Sequence, residues 1–358
     1  MKEEKDMMCL SLPFAAAVAV GVSLSPSYAL AGLIHFALVL CLGIATFRLV
    51  PRRLGFYVGL MVLCGLFCGF TGGLQGLTFA DSTGAFSNIR SALAGAVDSL
   101  DFPSPDTGAL VKALALGDRS SLSPELREAF RASGASHILA LSGLHLGVFY
   151  ICLSYLLAPL GKAPVIKKFK SATIIILTAG YVLLSGCSPS IVRAGLFILL
   201  RESAGLLHRK ISLLRSVLAA LMIQLILSPV QITSAGFQLS YLAVAGIAVL
   251  YPILRDLWPS EGPAQDRFDI PQKIWRLCCL SISCQVFTAP VAYIRFGSLP
   301  KYFLLANLMA LPVAGLATGL SMLTVTGSGA GWCPAPLIQL LDSVLSALVW
   351  ILKTISTM

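Results

Sequence analysis

Three side chains that can donate, accept or shuttle protons fall close together in the run SHILALSGLHLG: His137, Ser142 and His145. A serine and a histidine three residues apart share one face of a helix. Such a pair can activate the hydroxyl as a nucleophile when a third group orients the imidazole. Asp118 is the nearest acid, and it belongs to a turn well before the pair. The same three groups can instead hydrogen-bond between neighbouring helices, or form the polar wall of a path through a membrane. All three chemistries stay open on spacing alone. A zinc site is not expected, because the two histidines have no third convergent ligand.

The polar residues continue on both sides. LGDRSSLSPELREAFRASGASHILALSGLHLG brings Asp118, Arg119, Arg127 and Arg131 just ahead of His137. In GCSPSIVRA, Ser188 is placed to cap a helix that Pro189 opens, and Arg193 follows one turn later. An arginine there either snorkels outward or faces a wet cavity and attracts an anion. GFQLSY opens another apolar run with Gln238 and Ser240. Farther on stand Gln285, Pro290, Tyr293, Arg295, Phe296, Asn307 and Pro312. The two prolines free backbone carbonyls inside apolar helices, a pattern compatible with a broken helix lining a cavity.

The elements that must hold these residues are membrane spans. Of 358 residues, 57% are hydrophobic and 12% charged, against about half and about a quarter in a soluble domain. This excludes a soluble globular protein, a disordered tail and a disulfide-stapled secreted domain. The ten cysteines mostly lie in apolar stretches and make no C-x-x-C pair, so they read as small buried hydrophobes. Apolar segments at 10–25, 28–47, 54–77, 136–160, 171–187, 189–203, 213–228, 236–254, 275–295, 301–326 and 335–355 predict an all-α polytopic membrane protein with about eleven transmembrane or re-entrant helices. The first segment lacks a clear small-x-small cleavage signal and is expected to stay as a helix.

Residues 78–135 interrupt this series. Phe86, Ile89, Leu93, Val97 and Leu100 recur at helical spacing. Ser104-Pro105-Asp106 and Ser123-Pro124-Glu125 are helix starts, and Gly117 and Ser133-Gly134 are helix ends. The expected organisation is N-terminal spans over 1–77, a short extracytoplasmic amphipathic segment over 78–110, a main membrane domain over 111–330 and a last span over 331–358. The net charge of +10 follows from topology. Basic loops at 48–53, 161–170, 201–215 and 255–276 all fall on the cytoplasmic side if the N-terminus is cytoplasmic. Residues 78–135 and the C-terminus then lie outside the cytoplasm.

Four motifs, LGDRSSLSPELREAFRASGASHILALSGLHLG, GCSPSIVRA, GFQLSYLAVAGI and TAPVAYIRFGSLPKYFLLANLMALP, closely resemble the ComEC competence family and stand in its order. These are bacterial inner-membrane proteins that carry transforming DNA inward. The resemblance implies a passage for single-stranded DNA, with Asp118, Arg119, Arg131, His137, Ser142, His145, Ser188, Arg193, Gln238, Ser240 and Asn307 at motif positions. It implies the lipid bilayer, a separate DNA receptor, a cytoplasmic helicase or ATPase and a separate nuclease domain as partners, with a homodimer as an option. No cofactor and no chemistry of its own are expected. Residues 78–110 are too short for the OB-like domain of many relatives. The histidines His35, His137, His145 and His208 are too scattered for a metallo-β-lactamase-like centre. Two rival readings use the same residues: a transporter of another anionic or lipid-linked solute, and an intramembrane hydrolase at Ser142.

Overall fold

The computed structural model describes residues 2–24, 54–75, 84–161, 163–209, 211–257, 270–297, 299 and 301–357. The regular elements among them are helices: α1 (Lys2–Leu24), α2 (Leu54–Gln75), α3 (Gly84–Asp98), α4 (Thr107–Leu116), α5 (Pro124–Ala132), α6 (Ser136–Leu139), α7 (Gly143–Leu157), α8 (Pro164–Leu184), α9 (Pro189–Leu206), α10 (Leu213–Leu227), α11 (Ala235–Arg255), α12 (Ile270–Phe296), α13 (Phe303–Gly329) and α14 (Ala335–Ser356). Short 3-10 turns follow α7 and α10.

Among the described residues, five segments are long and apolar enough to cross a bilayer: Gly143–Leu160, Ala235–Arg255, Pro271–Phe296, Phe303–Gly329 and Ala335–Ser356. The chain is an all-α, multi-pass membrane protein. The expected count of about eleven spans is not supported, because a span needs about 20 largely uncharged residues. α8 carries Lys167, Lys168 and Lys170 in its first turns, and α9 carries Arg193, Arg201 and Glu202. The apolar stretches Met7–Ser23, Val58–Gly69 and Leu213–Leu227 are shorter than a full crossing. The expected span at 28–47 and the basic loop at 48–53 lie outside the described residues.

The chain forms two compact units, residues 1–81 with 203–241 and residues 82–202 with 242–358. In the first, α1 and α2 pack along each other. A Cβ at Gly65 or Gly69 would run into the α1 backbone at Phe14 or Val18, so these glycines permit an approach no larger residue allows. Gln224 of α10 joins the following turn to α11. Its amide donates to Gln231 at 2.6 Å, and its carbonyl accepts from the Tyr241 hydroxyl at 2.9 Å.

The second unit is built around α13. Ala310, Ala314 and Ala317 form a fully buried small-residue face, and α3, α4, α7, α12 and α14 pack on this helix. On α14, Leu341, Leu345, Leu348 and Leu352 are buried at heptad-like spacing. They share one core with Leu110 and Leu114 of α4 and with Leu126 and Phe130 of α5. The polar-looking segment therefore does not stand apart from the spans. α4 explains why: Thr-Gly-Ala-Leu-Val-Lys-Ala-Leu-Ala-Leu has almost no polar face, and a helix apolar all round must be buried. Its Lys112 reaches out to Asp98 of α3 at 2.6 Å.

Two local expectations are corrected here. Ser104 does not cap α4. Its backbone N–H and hydroxyl both donate to Asp342 of α14, at 3.2 and 3.0 Å, and Thr107 donates to the same carboxylate. On α3, Ile89 faces outward and the helix stops at Asp98, so Ile89 and Leu100 are not part of one buried stripe.

Candidate functional site

The apolar segment 136–160 is not one helix. α6 is a single turn, the chain runs extended at Ala140 and again at Ser142, and α7 begins at Gly143. His137 and His145 thus sit on different helices, which corrects the expectation of one continuous segment over 136–160. The break is specified locally. Ser142 accepts a hydrogen bond from the Leu144 N–H at 3.2 Å, and the His145 Nδ1 accepts from the Ser142 N–H at 3.3 Å. This reciprocal pattern is a capping box with histidine in the usual glutamate position. The Ser142 hydroxyl is also 3.2 Å from His145 Nδ1. His145 is 0% exposed.

Two loops close around the break. Gly117 ends α4 with φ +74°, and a Cβ there would strike the side chain of Leu141. α8 ends in a Schellman arrangement in which Gly186 and Cys187 both take positive φ. Their N–H groups donate to Leu183 and Val182, each at 3.1 Å. Ser188 then donates to the Leu141 carbonyl at 3.5 Å. The Tyr181 hydroxyl ties α8 to the last turn of α4, donating to the Ala115 carbonyl at 2.9 Å.

Arg193, one turn into α9, is 7% exposed. Its guanidinium lies 5.4 Å from the centre of the Phe197 ring and against Gly143, the first residue of α7. A fixed positive charge at the positive end of a helix creates a strong preference for an anion. The arginine does not snorkel to an exterior surface.

On the flanking loop, Asp118 accepts from the Ser120 hydroxyl at 2.7 Å and from its N–H at 3.0 Å. These two bonds, aided by Arg90 and Lys112, hold its carboxyl below the usual range against a smaller opposing effect of burial. Arg119 is on the surface, and its carbonyl accepts from Arg127 at 2.6 Å. Partial desolvation and then the like charge of Arg127 lower the Arg119 pKa. His137 is exposed, and its Nδ1–H donates to the Gly134 carbonyl at 3.2 Å.

The remaining motif residues do not join this node. Arg131 makes a two-pronged surface pair with Glu128 at 2.8 and 3.0 Å. Asn307 lies half-buried near the start of α13. Gln238 belongs to the other unit, where its amide donates to the Ile232 carbonyl at 2.9 Å, and Ser240 is buried beside it on α11. Phe130 is wholly buried in the core, whereas Tyr293 and Phe296 are exposed. α12 and α13 run unbroken through Pro290 and Pro312, so the interruption sits elsewhere than the prolines suggest.

Two acids escaped the sequence reading. Asp342 is described above. Glu202 of α9 accepts from Tyr150 of α7 at 2.7 Å and from Ser171 of α8 at 2.6 Å, locking three helices together. In both cases the signal was an acid inside an apolar helix. Among the described residues, no group of three or more histidine, cysteine or acidic side chains could hold a metal ion.

A family model described as "Competence protein" matches residues 114–358. Among curated proteins, ComE operon protein 3 of Bacillus subtilis (strain 168) is 24% identical over 230 residues, covering 63% of this chain and 28% of that protein. The chain thus spans less than a third of the length of that relative. No solved structure matches it. The match over residues 114–358 takes in the interrupted helix, both loops that close on it and Arg193, and the chain belongs to the ComEC-type competence protein family.

Proposed function

We propose that the chain forms a membrane passage through which single-stranded DNA reaches the cytoplasm. One observation carries this reading: the segment matched by the family contains a membrane helix broken at Ala140–Ser142, with a buried arginine lodged on the break. Single-stranded DNA is a polyanion, and a conduit for it needs positive charge without the grip of a tight binder. Arg193 and the positive end of α7 supply charge at membrane depth. Arg119 on the loop after α4 and Arg127 on α5 supply it outside the candidate spans. Tyr293 and Phe296 offer exposed ring faces.

In this reading the N-terminus is cytoplasmic, and the loop bearing Asp118 faces the DNA donor side. Some of the shorter apolar helices act as re-entrant or partial spans. The driving force comes from partners: a DNA receptor outside, a helicase or ATPase inside, and a nuclease that removes the other strand. A second copy of the chain completes the passage if one bundle is too narrow. The protein resides in the bacterial inner membrane.

Deleting the gene in a competent host tests the proposal. Internalisation of labelled DNA is expected to be lost, restored by the wild-type chain and not by Arg193→Glu. Unchanged internalisation in the deletion strain overturns it. A cysteine introduced at 142, in a background without native cysteines, is expected to react with aqueous thiol reagents.

A further inference from the structure

A cleft of about 310 Å³ lies between the start of α4 and the last turns of α14. Sites for small ligands begin at about 300 Å³. Two contacts of one residue fix the walls. The Ser104 hydroxyl donates to Asp342 at 3.0 Å and lies 3.5 Å from the hydroxyl of Ser346. Leu110, Leu345 and Val349 give the cleft apolar lining, and Asp106 and Lys353 bring one charge of each sign to it.

Position along the span says what meets this cleft. Trp350, which also lines it, and Lys353 belong to the last two turns of the candidate span Ala335–Ser356. Both side chains are exposed. A tryptophan and a lysine at the end of a span sit at headgroup level. Phospholipid is therefore the molecule that stands in front of the cleft.

The charges select the headgroup. Asp106 precedes α4, but its side chain does not cap the helix. Neither Asp106 nor Lys353 forms an ion pair with a described residue. The neighbouring acid, Asp342, is already filled by Ser104 and Thr107. One carboxylate and one ammonium, both available, complement a headgroup that itself carries one charge of each sign. A primary ammonium donates hydrogen bonds to a carboxylate, whereas a quaternary one has no N–H to give. A purely anionic headgroup, or a polyanion, would meet repulsion from Asp106.

We infer that this cleft binds one molecule of phosphatidylethanolamine. Its phosphate rests on Lys353, its ammonium on Asp106, and the start of its acyl chains on Leu110, Leu345 and Val349. The inference needs only a membrane-embedded bundle and does not depend on the conduit reading. A lipid held there bridges α4 and α14 beside the Asp342 contacts and strengthens the same junction.

The test uses the full chain, purified in detergent and stripped of lipid. It is titrated with phosphatidylethanolamine, phosphatidylcholine and phosphatidylglycerol of identical acyl chains, and bound lipid is counted by native mass spectrometry. Wild type is expected to take up one phosphatidylethanolamine with roughly tenfold higher affinity than phosphatidylcholine, the scale of one hydrogen bond to a charged group. Phosphatidylglycerol is expected to bind no better than phosphatidylcholine. Asp106→Asn is expected to remove the preference for phosphatidylethanolamine over phosphatidylcholine, and Asp106→Glu to keep it. Lys353→Gln is expected to weaken both lipids by the same factor, because both carry the phosphate. Melting temperatures without added lipid are expected to match wild type in all three variants, which separates a lost contact from a lost fold. Equal binding of the three lipids by wild type overturns the site, and so does a preference that survives Asp106→Asn. A preference for phosphatidylglycerol that Lys353→Gln removes would assign the cleft to anionic lipid and likewise overturn it.

Discussion

The hydroxyl of Ser142 lies 3.2 Å from Nδ1 of His145 while accepting the N–H of Leu144, so the pair that resembles catalytic machinery is also the cap that starts α7. A cap needs a side-chain acceptor, whereas a nucleophile needs this hydroxyl. The two roles separate by substitution. Ser142→Ala is expected to lower stability by about 1 kcal/mol, the typical loss for an N-cap. Ser142→Asp is expected to preserve both melting temperature and DNA uptake, because aspartate caps as well as serine does. Thermal unfolding in detergent and uptake by the complemented strain provide the two readings. Loss of uptake in Ser142→Asp with an unchanged melting temperature would assign the hydroxyl a chemical role.

Gly117 and Leu141 form a second lock on the same break. The left-handed φ of +74° already disfavours any side chain, by about 1–2 kcal/mol for an L-residue. The Leu141 side chain occupies the place where a Cβ would go. Gly117→Ala is expected to destabilise by more than the backbone penalty alone, with overpacking adding about 1–3 kcal/mol. In the Leu141→Ala background the overpacking part should vanish, leaving the backbone part. A double-mutant cycle on unfolding free energies checks this, and strict additivity of the two changes refutes the lock.

Much of this was legible in the sequence, and the illegible part has physical causes. Ser123-Pro124 and Gly117 marked true helix ends because capping is local chemistry that four or five residues settle. Membrane character followed from composition alone. The span count failed because hydropathy sees apolar length and not what covers it. α4 is as apolar as a short span, yet it is buried against α13 and α14. The node was half visible. Asp118, Arg119, Ser142, His145, Ser188 and Arg193 were named, but not the break, since HILALSGLHLG has no proline to announce it. Nothing local in Ser104 could show that its partner is Asp342, more than two hundred residues away.

The Asp118–Ser120 turn predicts a pH dependence with a definite sign. Its carboxyl titrates below the ordinary 3.8 because Ser120 hydrogen-bonds the ionised form. A depressed folded value means the stabilising contribution is complete above 3.8 and fades as pH falls through the folded pKa. Asp118→Asn is therefore expected to melt lower than wild type at pH 7, with the gap narrowing below pH 4. Between pH 5 and 8 the gap should be flat. Melting curves of both proteins across pH 3–8 are the measurement, and a gap that widens on acidification contradicts the assignment.

Asp342 carries the last prediction. Within an apolar 22-residue helix it accepts from the Ser104 N–H, the Ser104 hydroxyl and the Thr107 hydroxyl. A buried carboxylate is tolerable only when its lone pairs are filled, and here the filling groups belong to the start of α4. The acid thereby pins the segment 104–116 to α14. Asp342→Leu leaves the donors around α4 without their acceptor, an expected loss of about 3 kcal/mol by analogy with truncating one side of a buried charged interaction. Asp342→Asn keeps one carbonyl oxygen and should recover part of the loss. Ser104→Ala combined with Thr107→Val removes both hydroxyl donors and leaves only the Ser104 N–H without its acceptor, so Asp342→Leu should cost clearly less in that background than in wild type. Hydrogen exchange reports the same event locally: amides of α4 should open far faster in Asp342→Leu while those of α8, which does not touch this carboxylate, keep their protection. Equal acceleration across both helices would show that the substitution unfolds the whole unit and that Asp342 is not a local pin.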